Sequence, residues 1–561
     1  MMYSVDSRGR RPAACWLLLA GLATSVGCVD EPTDGEVDHD LDLEIAVGWD
    51  TTRAAREAAI EHYLAANDED FQWFKDTALG SSGIPMIMFR LFPELFPEIW
   101  GAPAEHFAKL GLGVDPFDPG KVLPLGLGYT SIKPPVDTPL GPVDLQVVNL
   151  TCIGCHGGRV SDAAGATRIQ VGAPNAQFSG FRNAVIKTVN SPGYTALRFR
   201  LALLTKPPGW LYGDPAMLPQ ETLERALFLA PDGAEKMLAT LKAKVQASVQ
   251  RFSSTIGTYS YAAVPNPPDL AGPTPGYLDA LGSGVALIVD PSRFTPTQLD
   301  AILPPAPGPV DIMSVWRQVD RPAAQWDGSI TSPLHRNLGA EFGVVGNPTL
   351  VSLENAVRTT RFVARLPAPP YPFDIDPVKA TRGKSLYDAY CAGCHHAGAD
   401  ERFDPRAVGT DPNRAVLLTD VTAGLLVEAL RTACSDPAAC NGPDGAPLPD
   451  DQIVAASGGY MALPLDGIWA RAPYLHNGSV PTLAALLTGE RPAQFYRGNT
   501  TFDQARVGFT WDRPGPGTAL YDTTRAGLSN RGHDTPRFNG PVDWKRSPAK
   551  LADLLEYLKT L

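Results

Sequence analysis

Apolar residues along this chain fall into a few strongly periodic stretches, separated by long reaches dominated by glycine and proline. The clearest period lies near the end, where Leu551, Leu554, Leu555 and Leu558 recur at i, i+3, i+4 and i+7 and predict an amphipathic helix starting at Pro548. Gly383, Leu386, Tyr387 and Tyr390 mark one buried face of a second helix over residues 377–390. Ile60, Tyr63 and Leu64 predict a third over residues 53–67, capped by Thr51 or Thr52. Further helical stretches are expected at 191–204 and 220–253, the latter broken at Pro231-Asp232-Gly233. Residues 143–150 are β-like in composition, whereas Gly172 to Asn175 reads as a turn. The 54 prolines, densest at 265–275, 304–309 and 367–372, predict long ordered loops instead of a plain helical bundle. The expected fold class is therefore mainly α, with few short strands and long proline- and glycine-rich loops.

At 561 residues the chain is long enough for two or three domains, and its 44% hydrophobic content suits a globular protein. The first residues differ in kind. Arg8, Arg10 and Arg11 precede an apolar run from Ala13 to Val26, short enough for the core of a secretory signal. The run ends Ser25-Val26-Gly27-Cys28, which resembles the site where bacterial lipoproteins are cut and acylated, although Ser25 stands where leucine is usual. Residues 30–45 are acidic and poor in large apolar side chains, as a solvated tether is. The expectation is export, with residues 1–28 a lipoprotein-type signal, 29–50 a tether, and a periplasmic or extracellular protein lipid-anchored to the outer membrane. In such an oxidising compartment Cys434 and Cys440, six residues apart, should form a local disulfide. The formal charge of −12 excludes nucleic acid as a natural partner and would suit a basic, small redox protein.

Four of the eight cysteines carry the chemistry. Cys152-Ile153-Gly154-Cys155-His156 and Cys391-Ala392-Gly393-Cys394-His395 both read C-x-x-C-H, the attachment motif of c-type haem. In it the two thiols form thioethers with the haem and the histidine takes the proximal iron position. A zinc site would need two more Cys or His ligands at short spacing, and a redox dithiol would not require the histidine. Two covalently attached haem c groups are therefore expected, on Cys152 and Cys155 and on Cys391 and Cys394, with His156 and His395 as iron ligands. The first motif follows the β-like stretch and the second follows a helix, so the two are not simple duplicates. Downstream, Trp316 to Asp327-Gly328-Ser329 parallels Trp469 to Asn477-Gly478-Ser479, which suggests two haem domains of common origin. The stretch 367–374 is the expected linker between an N-terminal haem domain, 51–366, and a C-terminal cytochrome c domain, 375–561. The helix holding Gly383 should cross the final helix to close the second core.

From Gly467 through Tyr474-Leu475-His476-Asn477-Gly478-Ser479 to Leu483 the sequence resembles the bacterial diheme cytochrome c peroxidase superfamily. With Phe495-Tyr496-Arg497-Gly498-Asn499 and Asn530-Arg531-Gly532-His533 it is more similar to the rubber oxygenase, latex-cleaving diheme branch. The resemblance covers residues 375–561 specifically and 140–350 more loosely, through 171–175 and Trp326-Asp327-Gly328. It implies His533 as the second axial ligand opposite His395, with Met461 as the alternative and His476 as a hydrogen-bonding residue beside the haem. Peroxidases of the superfamily carry another histidine soon after the first motif, but no histidine lies between His156 and His335. An open iron position at the His156 haem follows. The resemblance offers Trp326, Glu341 and Phe342 as distal residues there: Glu341 to move protons, Phe342 to shape a dry pocket, Trp326 for packing or electron transfer. His335 is a further candidate for the iron, and core packing is the alternative reading of Trp326 and Phe342. A calcium ion is compatible with the family but has no identified ligands.

The expected activity is that of an oxidoreductase handling dioxygen, peroxide or an apolar substrate at the first haem, with the second as electron relay. The alternative is a pure electron-transfer cytochrome with no catalytic haem.

Overall fold

The two C-x-x-C-H motifs are presented by different backbones, one by a small buried sheet and the other by a pair of crossed helices. The computed structural model describes residues 54, 57–105, 107–138, 141–174, 180–255, 275–515 and 517–561. The expected signal, tether and lipid-attachment site at Cys28 lie outside these residues, as does most of the proline-rich stretch 265–275. The fold is mainly helical with small two- and three-stranded sheets. Among the described residues no helix is long and apolar enough to cross a membrane.

Helical backbone occupies 57–66 and continues after Asn67 into α1 (Asp68–Asp76). A three-stranded antiparallel sheet follows, with β3 (Gln146–Leu150) central between β1 (Ile84–Pro85) and β2 (Leu127–Ser131). Its register pairs Ile84 with Val148 and Leu127 with Leu150. Val147 and Val148 point to opposite faces, yet both are fully buried, so the sheet is covered on both sides. One residue beyond β3 the chain turns into the single helical turn α2 (Cys152–His156) and then into the hairpin of β4 (Gly157–Ser161) and β5 (Thr167–Val171). Gly154 is required here, because a Cβ at that position would stand 2.6 Å from the Gly126 carbonyl oxygen.

A helical layer follows, with α3 (Ala196–Leu204), α4 (Leu218–Leu229) and α5 (Gly233–Phe252). The predicted break at Pro231-Asp232-Gly233 is present, with Asp232 at φ 58°. The hairpin of α6 (Pro333–Val345) and α7 (Leu353–Ala364) packs on α1, where Phe362 meets Phe74 at 5.0 Å and Arg361 pairs with Asp70. The helix α8 (Pro377–Tyr390) is capped by Asp376, whose carboxylate accepts from the Val378 and Lys379 N–H groups. After α9 (Asp420–Ala433) and a run of loops and short strands, the chain closes with α10 (Pro548–Leu558). Helices α8 and α10 cross as expected. A Cβ on Gly383 would collide with the Asp553 carbonyl oxygen, so only glycine admits the approach, and Arg382 clamps the crossing with two bonds to Asp553 of 2.9 and 2.8 Å. Cys434 and Cys440, at the end of α9, are joined in a disulfide.

The segment 367–374 differs from the expected spacer. Tyr371 is buried, its ring 5.4 Å from that of Trp469, and the Trp469 indole donates to the Pro369 carbonyl. One apolar cluster runs from Phe74, Ile153 and Phe362 through Tyr371 to Trp469, Leu386 and Leu554, with Cys152 and Cys391 both packed against it. Proline stiffness here shapes a strap laid into a shared core instead of holding two bodies apart.

The sequence echo is structural. Gln325 and Leu475 both have φ 68°, the bridges Ala324 to Ile330 and Tyr474 to Val480 correspond, and Gly328 and Gly478 close matching turns. The two copies touch, because the Asp311 N–H donates to the His476 carbonyl while the Asp311 carbonyl accepts from the Trp326 indole.

Candidate haem-binding sites

At the first motif the thiols of Cys152 and Cys155 and the ring of His156 face a cavity. Its walls come from distant elements. Asn337, Ala340, Glu341 and Val344, at i, i+3, i+4 and i+7, give one face of α6, while α7 contributes Asn355, Ala356, Thr359 and Val363. Phe74, Leu79, Thr151 and Val315 complete it. The lining is mostly apolar, and His156 is the one histidine or methionine among these residues.

Burial pushes the Cys152 thiol up to about 12 and Cys155 to about 11, so both are held as neutral thiols near neutral pH. The His156 ring is driven down to about 3 by burial and by Arg336, leaving the neutral imidazole that a metal needs. The Met313 carbonyl is close enough to favour its protonation but is not in hydrogen-bonding geometry with Nδ1.

Glu341 is 1% exposed. Its Oε1 accepts from the Gly80 N–H and, at 2.9 Å, from the Asn355 amide. Its Oε2 is buried without a well-formed hydrogen bond, although the Ser352 N–H is near enough to lower the pKa. Burial outweighs these donors and raises the carboxyl to about 7, where it exchanges a proton near neutrality.

Two of the three expected distal residues lie elsewhere. Phe342 is buried, but one residue along an α-helix turns the side chain by about 100°, and it is not among the lining residues. Trp326 packs with Met313, Ala323, Met461 and Leu463, on the side of the second motif. His335 is held by Ser332, whose hydroxyl lies 2.8 Å from Nδ1, and it too is absent from the cavity wall.

At the second motif α8 ends at Cys391, and the Tyr387 hydroxyl fixes the following turn by donating to the His395 carbonyl at 2.9 Å. The His395 Nδ1 lies 2.8 Å from the Leu463 carbonyl, which directs Nε2 away from the chain. Across from it stands His533, with ring centroids 6.1 Å apart and planes 29° from parallel. Two metal–imidazole bonds of about 2 Å each, with the half-widths of two rings, span about 6 Å, so the separation fits one iron held between the histidines. Burial, then His395, lowers His533 to about 4. Its position depends on backbone that local propensity would not choose: φ is 60° and the N–H donates to Val408.

The alternative ligand Met461 turns its sulfur to Gly328, where a Cβ would collide with it. His476 is buried and stacked on Tyr460 at 4.2 Å, with Nε2 lacking a partner and its pKa lowered to about 3 by burial and Arg414. Among the described residues no group of three or more His, Cys, Asp or Glu side chains is arranged for a metal ion. Sequence reading missed the buried Arg321 and Arg471 and the half-buried Arg336 beside these sites. Only their company in the fold separates them from surface arginines.

Comparison with known proteins finds a RoxA-like, cytochrome c-like domain at residues 459–497, the stretch that holds Met461 and His476. A Y4iN-like domain matches residues 69–156, ending on the first motif histidine. Relatives are three uncharacterized proteins of Sinorhizobium fredii. The chain is 38% identical to y4iM over 46% of its own length and 66% of that protein. It is 27% identical to y4iJ over 74% of this chain and 77% of that protein. It is 37% identical to y4iN over 20% of this chain and 59% of that protein. A cytochrome c-like domain implies covalent haem.

Proposed function

We propose that this chain, a haem protein by its cytochrome c-like domain, is an exported diheme oxidoreductase of the rubber oxygenase-like kind. Dioxygen or peroxide is handled at the haem of His156, and the haem of His395 and His533 relays electrons. The observation that carries this reading is an asymmetry between the two motifs: His395 has an imidazole 6.1 Å across from it, whereas among the described residues no second histidine or methionine lines the cavity of His156. Iron with two strong protein ligands passes electrons, and iron with one binds small oxidants.

When bound at Cys152, Cys155 and His156, haem supplies the redox centre. The chain's own residues do the rest. Phe74, Leu79, Val315, Val344 and Val363 keep water out, which suits an apolar substrate. Glu341, held at Oε1 by Gly80 and Asn355, is the residue that would take a proton from hydrogen peroxide and return it to the oxygen that leaves as water. His395 and His533 would hold the second haem between their imidazoles, and that haem would supply electron transfer. Export supplies the compartment in which haem is attached to thiols, and acylation of Cys28 would tether the protein at the outer membrane.

The test is carbon monoxide binding to the dithionite-reduced holoprotein. The expected result is two haems per chain by pyridine haemochrome, one of which shifts its Soret band with carbon monoxide. Two ligand-inert haems would make the protein an electron carrier and overturn the catalytic reading.

A further inference from the structure

Between the two motifs lie three guanidiniums that have no ion pair of their own among the described residues. Arg321 and Arg471 are each 8% exposed, Arg336 lies half-buried beside the first cavity, and none of the three forms an ion pair among the described residues. Arg321 donates to the Ser314 carbonyl at 2.7 Å and to the Ser314 hydroxyl at 2.9 Å. Arg336 donates to the Gln318 amide oxygen and, at 2.9 Å, to Asn337. Arg471 donates to the Asp466 carbonyl and lies 5.4 Å over the Trp316 ring. Every one of these partners is neutral. The nearby carboxylates Asp320 and Asp466 are already held by Arg317, at 2.6 and 2.5 Å. Two buried donors, Arg471 Nε and Gln318 Nε2, have no acceptor. Burial depresses all three guanidiniums, Arg321 and Arg336 to about 10 and Arg471 to about 9; Arg321 lowers each of the other two further, while Asp466 acts the opposite way on Arg321 and Arg471.

Desolvation of a guanidinium without a paired anion is costly, and anions arriving from outside the chain would relieve that cost for all three. Their placement indicates which anions. Arg321 is anchored on Ser314, between Met313, whose carbonyl faces His156, and Val315, which lines the first cavity. Arg336 precedes Asn337 of the cavity wall. Arg471 is anchored on Asp466, three residues beyond the Leu463 carbonyl that orients His395. The group therefore forms a file from one haem histidine to the other.

We propose that Arg321, Arg336 and Arg471, with Gln318, form one receptor for the propionate carboxylates of both haems. Arg336 serves the haem of His156, Arg471 serves that of His395, and Arg321 in the middle serves both. The proposal rests on the diheme reading above. Planar guanidinium forks match carboxylates in pairs of hydrogen bonds, which neither the ammonium of lysine nor an amide reproduces fully. A cation beside a haem also favours the reduced iron, which carries one positive charge fewer, so the same residues set both potentials.

The test uses the purified holoprotein with Arg336→Gln, Arg471→Gln, Arg321→Gln and Arg321→Lys, read by pyridine haemochrome and by optical potentiometry at several pH values. Arg336→Gln should lower chiefly the potential of the carbon monoxide-binding haem, Arg471→Gln that of the low-spin haem, and Arg321→Gln both. Each lowered potential should become pH-dependent in the neutral range, because a propionate that has lost its guanidinium takes up a proton there. Arg321→Lys keeps the charge and should keep most of the potential, also where Arg321→Gln fails to mature. Two haems with unchanged potentials and pH dependence in Arg321→Gln would overturn the proposal, as would an Arg321→Lys protein whose potentials both fall like those of the glutamine variants. A haem count of one in the unaltered protein would instead overturn the diheme reading.

Discussion

The same five-residue pattern meets two kinds of surroundings in this molecule. Cys391 to His395 hangs from the end of a capped helix, crossed by the last helix of the chain, with His395 locked to Leu463 and faced by His533. Cys152 to His156 follows a buried strand and opens on a cavity walled by α6 and α7, where, among the described residues, Glu341 is the one ionisable side chain besides the motif itself. A motif that attaches a cofactor thus says nothing of what the cofactor does. In the diheme reading proposed above, that would be decided by the residues facing each motif, about 140 to 200 positions away in the chain.

The largest effect that would break this comparison is expected from His533→Ala. One haem should pass wholly from low-spin to high-spin and begin to bind carbon monoxide, while the other keeps its spectrum; an electron resonance spectrum identical to that of the parent protein would remove His533 from the ligand set. Next in size is Glu341→Gln, which should slow the stopped-flow reaction with peroxide by about 10²–10⁴-fold while leaving both haem spectra in place. The sign with pH follows from the carboxyl at about 7. As pH falls through that value Glu341 becomes protonated and can no longer accept the proton of the oxidant, so the parent rate should fall and the variant rate stay flat.

Two glycines sharpen the packing side. Gly383→Ala drives a methyl group into the Asp553 carbonyl and should destabilise the protein by about 1–3 kcal/mol, read as a lower guanidinium midpoint. Gly393→Ala, inside the second motif, meets nothing within 4 Å and should change stability by no more than about 0.5 kcal/mol. On ligand binding the smallest expected effect is that of Trp326→Phe. It loses one hydrogen bond to the Asp311 carbonyl, about 1 kcal/mol, and should leave carbon monoxide binding at the first haem unchanged; a large change there would return Trp326 to the distal pocket.

Much of the frame was legible from local pattern. The final helix, the capped helix of Gly383, the break at Pro231 to Gly233 and the Cys434–Cys440 disulfide each depend on residues near one another in sequence. So does the paired turn at Asp327-Gly328 and Asn477-Gly478, whose matching backbone angles reflect matching short-range chemistry. The strap 367–374 was misread because proline density reports stiffness and cannot report burial; Tyr371 and Pro369 are held by Trp469, about 100 residues on. The choice between Glu341 and Phe342 was likewise closed to pattern, since both are buried on one helix and only the neighbouring α7 and the motif show which face meets the cavity.

By itself the sequence determined the places where haem can be attached, because thioether formation and proximal ligation need two thiols and an imidazole within five residues. Tertiary structure alone decided which carboxyl shares the first cavity, that His533 stands over His395, and that Arg321 and Arg471, both buried, and the half-buried Arg336 lie between the sites without an ion pair among the described residues. The physical reason is range. Attachment is short-range covalent chemistry, whereas desolvation and the meeting of side chains hundreds of residues apart exist only once the core has closed around them.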